Sequence, residues 1–327
     1  MCVPLKTVLN HTPGDTLIVH TGALGDVICA LTAIDCFFSE MTIDFCCQGH
    51  IAPLLNSLNN IRNAFDINNP MMTSIFLGSN HSDIKDWLMG YSCIIIISFS
   101  KDWENSFHRY NQNTVRIPPR PPISETVHTS QFILNTLQCN NLISKNNSGL
   151  HDLILQKKTR SYKKSTGSQW KSVCIHPGSG SSFKNWPIEK YLALSKQLHQ
   201  KGLSVGWILG PAEKNLMKLL IHHVNHKNII QANNIQTIMH YLQQSGHFVG
   251  NDSGISHLSA YMGIDTTVLF GPSDVRRWRP IGACVKTIPN HFPVCSPCFE
   301  KGIRQCTHKK CLNDISVLQV IKMIDKT

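Results

Sequence analysis

The sequence has no apolar run near the roughly 18 residues that a membrane span requires; the unbroken run Ile94 to Ile97 has only the length of a strand. The first fifteen residues include Pro4, Pro13, Gly14 and Asp15 and no apolar core, so no secretory signal is expected. The 13 cysteines are then expected as mostly free thiols in a reducing, cytosolic setting. Charge is scarce, at 16% of residues, and acids are scarcer still: 20 Asp+Glu against 31 Lys+Arg, a formal net charge of +11. That balance favours anionic partners: nucleotides, nucleic acid or an anionic membrane surface. Aromatic residues do not interleave with basic ones, so nucleic acid is not expected.

A length of 327 residues suits two domains better than one core, and 42% hydrophobic content is that of a globular chain. Thr16 to His20 reads as a first buried strand, running into Gly22-x-x-Gly25-Asp26 and then an apolar helical pattern from Val27. Gly22 and Gly25 permit a tight turn, as in phosphate-binding βα loops. Neither G-x-G-x-x-G nor a Gly-Lys-Ser/Thr follows, which removes the dinucleotide fingerprint and the P-loop. Asp26 has two readings: a charge that suits the helix dipole, or an acid facing a substrate other than phosphate. Strands are expected at Ile43 to Cys46, Ser74 to Leu77 and Cys93 to Ser98, and a helix over His128 to Leu137. Asn56 to Asn69, Asn111 to Asn113 and Asn140 to Asn147 read as surface loops, and Ile117 to Pro122 as a stiff polyproline-like connector.

The polar, basic segment 157–171 is the clearest compositional break and reads as an interdomain linker, dividing the chain into 1–156 and 172–327. After it the β-α alternation restarts. Strands are expected at Ser172 to Ile175, Ser204 to Leu209, Ile229-Ile230, Phe248-Val249 and Thr267 to Phe270. Helices are expected from Ile188, after Glu213, from Ile235 to Gln244 and after Gly254. This is the pattern of right-handed, doubly wound parallel sheets. Gly178-Ser179-Gly180-Ser181-Ser182 can expose successive N–H groups to an anion, and Lys184 adds a cation before the Trp186-Pro187 stop. Asn251-Asp252-Ser253-Gly254-x-x-His257 falls at the carboxyl end of a strand, where open α/β sheets bind ligands. The competing reading of that turn is an ordinary helix cap by Ser253 or Asp252.

Three segments together resemble the lipopolysaccharide heptosyltransferases, glycosyltransferase family 9. They are Gly22-x-x-Gly25-Asp26, His176-Pro177-Gly178 to Trp186-Pro187, and Asn251 to His257 continuing through Phe270-Gly271-Pro272-Ser273-Asp274 and Trp278-x-Pro280. The resemblance implies a GT-B architecture of two Rossmann-like domains facing across a cleft. The acceptor would bind the first and a nucleotide-sugar the second. It implies inverting transfer of L-glycero-D-manno-heptose from ADP-heptose to a lipopolysaccharide inner-core acceptor, without a cofactor. The site would be cytoplasmic and peripheral to an anionic membrane surface. Asp26 matches the general base and Lys184 the residue that steadies the departing diphosphate. Ser179, Gly180, Ser181, Glu213, Asp252, Ser253, Gly254 and His257 match donor contacts, and Gly22 and Gly25 shape the acceptor-side loop. Alternatives are a GT-B transferase or epimerase using another nucleotide-sugar, or a protein or O-chain acceptor. The pair Cys295-x2-Cys298 has structural-zinc spacing, but Cys306-x4-Cys311 does not. No metal is therefore expected, with zinc or a disulfide as the lesser readings.

Overall fold

The computed structural model describes residues 15–35, 42–78, 82–143, 172–288, 295–303, 306 and 308–325. The chain divides into two compact units, residues 1–121 with 129–147, and residues 122–128 with 148–327. The basic stretch expected as a linker lies outside the described residues. Pro122 to His128, which begin at the last residue of the polyproline connector, group with the second unit.

The first unit runs β1 (Thr16–His20), α1 (Leu24–Ile34), β2 (Ile43–Cys47), α2 (Ala52–Leu55), β3 (Ile61–Asp66), α3 (Pro70–Leu77), α4 (Ser82–Met89), β4 (Cys93–Ile97), α5 (Lys101–His108), β5 (Thr114–Ile117) and α6 (Thr129–Cys139). Its five strands lie in the order β3-β2-β1-β4-β5, all parallel. β1 and β4 are apolar along nearly their whole length because helices cover both faces of the sheet. The order reverses between β1 and β4, which puts the loops after these two strands at the topological switch point.

Three expectations fail in this unit. Ser74 to Leu77 is the end of α3 and not a strand. Asn69 accepts from Met71 N–H, Pro70 occupies the first turn, and Gly78 ends the helix at φ 70°, so helix signals at both ends outweigh the local β propensity. The supposed loop Asn56 to Asn69 contains β3, which pairs with β2 and is tied down by Asn56 Oδ1 accepting from Ala64 N–H. Asn111, expected on the surface, is buried and donates to the carbonyls of Leu88 and Tyr91.

The second unit runs β6 (Ser172–His176), α7 (Ile188–Gln200), β7 (Ser204–Leu209), α8 (Lys214–Leu220), β8 (Ile229–Gln231), α9 (Ile235–Gln244), β9 (His247–Asn251), α10 (Gly254–Tyr261), β10 (Asp265–Leu269), α11 (Val275–Trp278), β11 (Val285–Ile288), α12 (Lys310–Asn313) and α13 (Val317–Ile324). The sheet order is β11-β10-β9-β6-β7-β8, again parallel throughout, with its switch between β6 and β9. Each unit is thus a doubly wound, Rossmann-like sheet, as expected. Trp186, Tyr191, Leu194 and Leu198 pack with Trp207, Val249 and Leu269 beneath α13. The inward face of α13 is formed by Val320, Ile321 and Ile324. Leu318 points outward, 57% exposed, and Val320 takes its place in the core. A capping box between Ser316 and Gln319 sets the start of this helix and therefore its rotation.

Candidate functional site

The switch point of the second unit gathers most of the residues singled out in the sequence. The loop after β6 carries Lys184 at the end of a 3-10 turn, Ser182–Lys184, and the turn after β9 carries Asp252. Lys184 Nζ donates to Asp252 Oδ2 at 2.9 Å, across 68 residues of sequence. The ammonium also lies 5.0 Å from the centroid of the Phe299 ring, a cation–π contact. Burial alone would raise the Asp252 carboxyl, but the Lys184 ammonium, with His257 and Ser273, holds it below the usual carboxylate range. His257 is pushed down to about 4 by burial, against the pull of Asp252, so at neutral pH it presents a neutral imidazole. Ser253 caps α10 through Ser256 N–H, which satisfies the local reading of that turn.

Glu213, buried, accepts from Gly210 N–H at 2.8 Å and sits 4.0 Å from His176 Nε2. Burial pushes His176 down to about 4, so that approach is not an ion pair at neutral pH. Gly178 lies flat on this carboxylate: a Cβ there would fall 2.2 Å from Glu213 Oε1, which only glycine avoids. Ser179 Oγ donates within the loop to Ser181 O or Asn185 Oδ1, at 2.7 and 2.6 Å. Gly180 is exposed and its Cβ position is open space, while Gly254 begins α10. The structure thus brings Lys184, Asp252, Ser253, Gly254 and His257 into one neighbourhood, and Glu213 against Gly178 of the same loop.

One residue quoted in the sequence motif but given no role holds the two loops together. Asn251, fully buried at the end of β9, donates Nδ2 to the carbonyls of Pro177 (2.8 Å) and Gly178 (3.2 Å). Its Oδ1 accepts from Trp186 N–H (2.9 Å) and from the Tyr191 hydroxyl (3.0 Å). All four hydrogen-bonding positions of the amide are therefore used. His128, from the 122–128 segment, was also missed. It is buried, hydrogen-bonds the Arg279 carbonyl at 2.7 Å and is close enough to His257 to lower its basicity. No local pattern marks it, since its neighbours are brought by chain crossing.

In the first unit, Asp26 stands in the first turn of α1, over the turn after β1. Gly22 N–H donates to His20 Nδ1 at 2.9 Å, and a Cβ at Gly22 would lie 2.6 Å from His20 Cε1 and 2.9 Å from Asp26 Cβ. The glycine therefore allows a buried histidine and the acid to close over one backbone turn. Gly25 is helical in the same turn.

Among the described residues no group of three or more His, Cys, Asp or Glu side chains is arranged to hold a metal ion. Cys298 and Cys311 are buried, Cys306 half-buried and Cys295 exposed, all without a disulfide; burial pushes the Cys311 thiol up to about 11.

A family model described as glycosyltransferase family 9 (heptosyltransferase) matches residues 136–310. The lipooligosaccharide heptosyltransferase 2 of Campylobacter jejuni is 25% identical over 162 residues, 48% of this chain and 51% of that protein. The chain spans about half the length of the curated relatives it matches. Among solved structures, a glycosyl transferase family 9 protein from Veillonella parvula superposes with TM-score 0.68 at 15% identity, covering 97% of this chain and 98% of that one. The E. coli heptosyltransferase WaaC with ADP gives TM-score 0.66 at 15% identity, covering 95% and 99%. At these identities the superpositions show the shared fold.

Proposed function

The chain belongs to glycosyltransferase family 9, and from that premise we propose that it transfers L-glycero-D-manno-heptose from ADP-heptose to a lipopolysaccharide inner-core acceptor, with inversion at the anomeric carbon. The observation that carries this reading is the Lys184–Asp252 pair beside neutral His257 at a parallel-sheet switch point. A diphosphate arriving there meets a cation, an imidazole N–H and the start of α10. Supporting it, one relative of the same fold has been solved with ADP and again with ADP-2-deoxy-2-fluoro heptose.

In the proposed reaction the acceptor hydroxyl attacks the anomeric carbon of the donor. Asp26 takes the hydroxyl proton, the bond from the anomeric carbon to the diphosphate oxygen breaks, and ADP leaves with the electron pair. Lys184 neutralises the charge that develops on the diphosphate. Ser179, Gly180, Ser181, Ser253 and Gly254 supply hydroxyl and backbone N–H contacts to phosphate, and Glu213 and Asp252 contact hydroxyls of ribose or sugar. Gly22 and Gly25 shape the acceptor side, and no cofactor takes part. No helix among the described residues is long and apolar enough to cross a membrane. With a net charge of +11, the enzyme would work in the cytoplasm, peripherally on the anionic inner face of the membrane that displays its acceptor.

The test is a thermal-shift comparison of ADP, UDP and GDP, followed by transfer assays with ADP-heptose and truncated core acceptors. ADP should give the largest shift. A preference for UDP, or no transfer to any core acceptor, overturns the reading.

A further inference from the structure

We propose that Phe299 is a positioning residue for Lys184: its ring holds the ammonium in the site when a diphosphate draws it away from Asp252. This rests on the reading of Lys184 as the diphosphate contact given above. Phe299 belongs to the cysteine-bearing segment that follows β11. Hydrogen bonds pin this segment to the loop after β10. The N–H groups of Cys298 and Phe299 both donate to Pro272 O, at 2.9 and 3.0 Å, and Ser296 Oγ donates to Gly271 O at 2.8 Å. Glu300 Oε1 accepts from Asp274 N–H at 3.0 Å and from Trp278 Nε1–H at 3.1 Å.

The Phe299 ring is stacked on that of Phe183, with 6.5 Å between centroids and 21° between planes. Phe183 is buried and stands next to Lys184 in the 3-10 turn. The ring that supports Phe299 and the lysine that Phe299 faces therefore share one turn. Lys309 Nζ adds a further tie, donating to Ser182 O at 3.0 Å.

An ammonium has three N–H donors, and among the described residues the one hydrogen bond of Lys184 Nζ is to Asp252 Oδ2. Its second contact is the Phe299 ring, 5.0 Å to the centroid. The two contacts differ in kind. A second carboxylate would also hold the lysine, but it would repel a diphosphate and occupy another donor. An aromatic face attracts the cation through its quadrupole and carries no net charge, so it holds the lysine without repelling the ligand. The lysine side chain is only 16% exposed, so water screens that attraction in part. When a diphosphate arrives, Asp252 must yield some of its hold, whereas the ring need not. The ring then retains a flexible four-carbon chain that would otherwise swing into solvent.

The test uses the full chain with Phe299 replaced by mono-, di- and trifluorinated phenylalanine, together with Phe299→Tyr, Phe299→Leu and Lys184→Ala. Fluorine drains the negative charge from the ring face, nearly preserves its size and does not weaken the stacking on Phe183. ADP dissociation constants are measured by calorimetry, with the Tm of the free protein as the check on folding. Affinity should fall stepwise with each fluorine while Tm holds. Phe299→Leu should weaken ADP about fivefold, the scale of a partly desolvated cation–π contact, and Phe299→Tyr should stay near the wild type. A flat fluorine series overturns the proposal; if such a protein still binds ADP and transfers heptose, the functional reading stands without it. Tighter binding on fluorination also overturns it, because the ring would then compete with the diphosphate for the lysine. In the Lys184→Ala background fluorination should have no effect, and a persisting effect refutes action through the lysine. If Lys184→Ala binds ADP as the wild type does, the diphosphate role of Lys184 and the role of Phe299 fall together. If affinity follows the fluorine series but no heptose is transferred, the positioning role stands and the functional reading falls.

Discussion

Asn251→Ala should damage the second unit more than any substitution of a charged residue on its surface. The side chain is fully buried and its amide makes four hydrogen bonds, to Pro177 O, Gly178 O, Trp186 N and Tyr191 Oη. Truncation leaves two carbonyls, one amide N–H and one hydroxyl without a partner in a packed interior. Each such loss costs about 1–3 kcal/mol. The 3.2 Å contact is the weakest of the four and relaxation recovers part of the rest, so a net loss of about 4 kcal/mol is expected. Against a usual total of about 5–15 kcal/mol this is severe but survivable. For a domain of this size it corresponds to a fall in Tm of roughly 10 °C. Asn251→Asp is the sharper variant, because it keeps the acceptor for Trp186 and Tyr191 but turns a carboxylate towards two carbonyls; it should be at least as harmful at neutral pH. Calorimetry and urea titration give the stabilities. ADP affinity should fall with them, because the freed loop carries Lys184. A Tm within about 2 °C of the wild type, which corresponds to under 1 kcal/mol, would refute the claim that this amide joins the two loops.

Gly178→Ala places a Cβ against the Glu213 carboxylate, 2.2 Å from Oε1, and should weaken ADP binding more than it lowers Tm; equal ADP affinity would show that the loop yields. Asp26→Asn should lower turnover by at least about 2–3 kcal/mol of barrier, the scale of a lost general base, with ADP affinity intact, and wild-type turnover would remove Asp26 from the chemistry. Arg62 bridges the buried carboxylates of Asp15 and Asp44, the latter at 2.7 Å, far from the Asp26 turn. Arg62→Met should destabilise the first unit by about 3–5 kcal/mol while the double variant with Asp44→Asn recovers part of it; no loss in urea midpoint would contradict the pairing. Burial pushes His20, His128, His176, His247 and His257 each down to about 4 from 6.5. The unfolded chain then takes up protons first as pH falls, so stability is full above 6.5 and drains between 6.5 and about 4, by at most about 1.4 kcal/mol per pH unit for each histidine. Urea midpoints at pH 7.5 and 5.0 should differ clearly, and His247→Gln should shrink the difference; equal midpoints would sink the idea.

The second unit was largely legible because its signals are local and agree with one another. Ile235 to Gln244 has an Asn234 cap at one end, and the β9–α10–β10 run alternates apolar strand, capped helix and apolar strand. The first unit was less so because tertiary contacts overrule composition there. β3 is a polar-looking Ile-Arg-Asn-Ala-Phe-Asp edge strand whose arginine is paired with buried acids, and Asn111 spends its amide on two buried carbonyls. In both cases an ordinarily exposed residue type is inside because it has a partner, and the partner is distant in sequence.

The same limit governs the site. Sequence reasoning treated Lys184 as a cation for phosphate and Asp252 as a separate contact for hydroxyls. At 2.9 Å the two form one unit, set by the loops that Asn251 ties together. A lysine neutralised by a buried carboxylate is not an idle positive charge: a diphosphate must share it or take it, and giving it up leaves the buried Asp252 without its cation, beside a neutral His257. The pairing therefore keeps Lys184 in place, and its mobility limited, before the donor binds. It also makes the strength of the lysine–phosphate contact depend on what replaces the lysine beside Asp252, and a hydroxyl of the bound sugar is the natural replacement, since it can donate to the carboxylate without repelling the phosphate. Under the proposed function the donor would then be read as a whole, sugar hydroxyl and diphosphate together, by two residues that look independent along the chain.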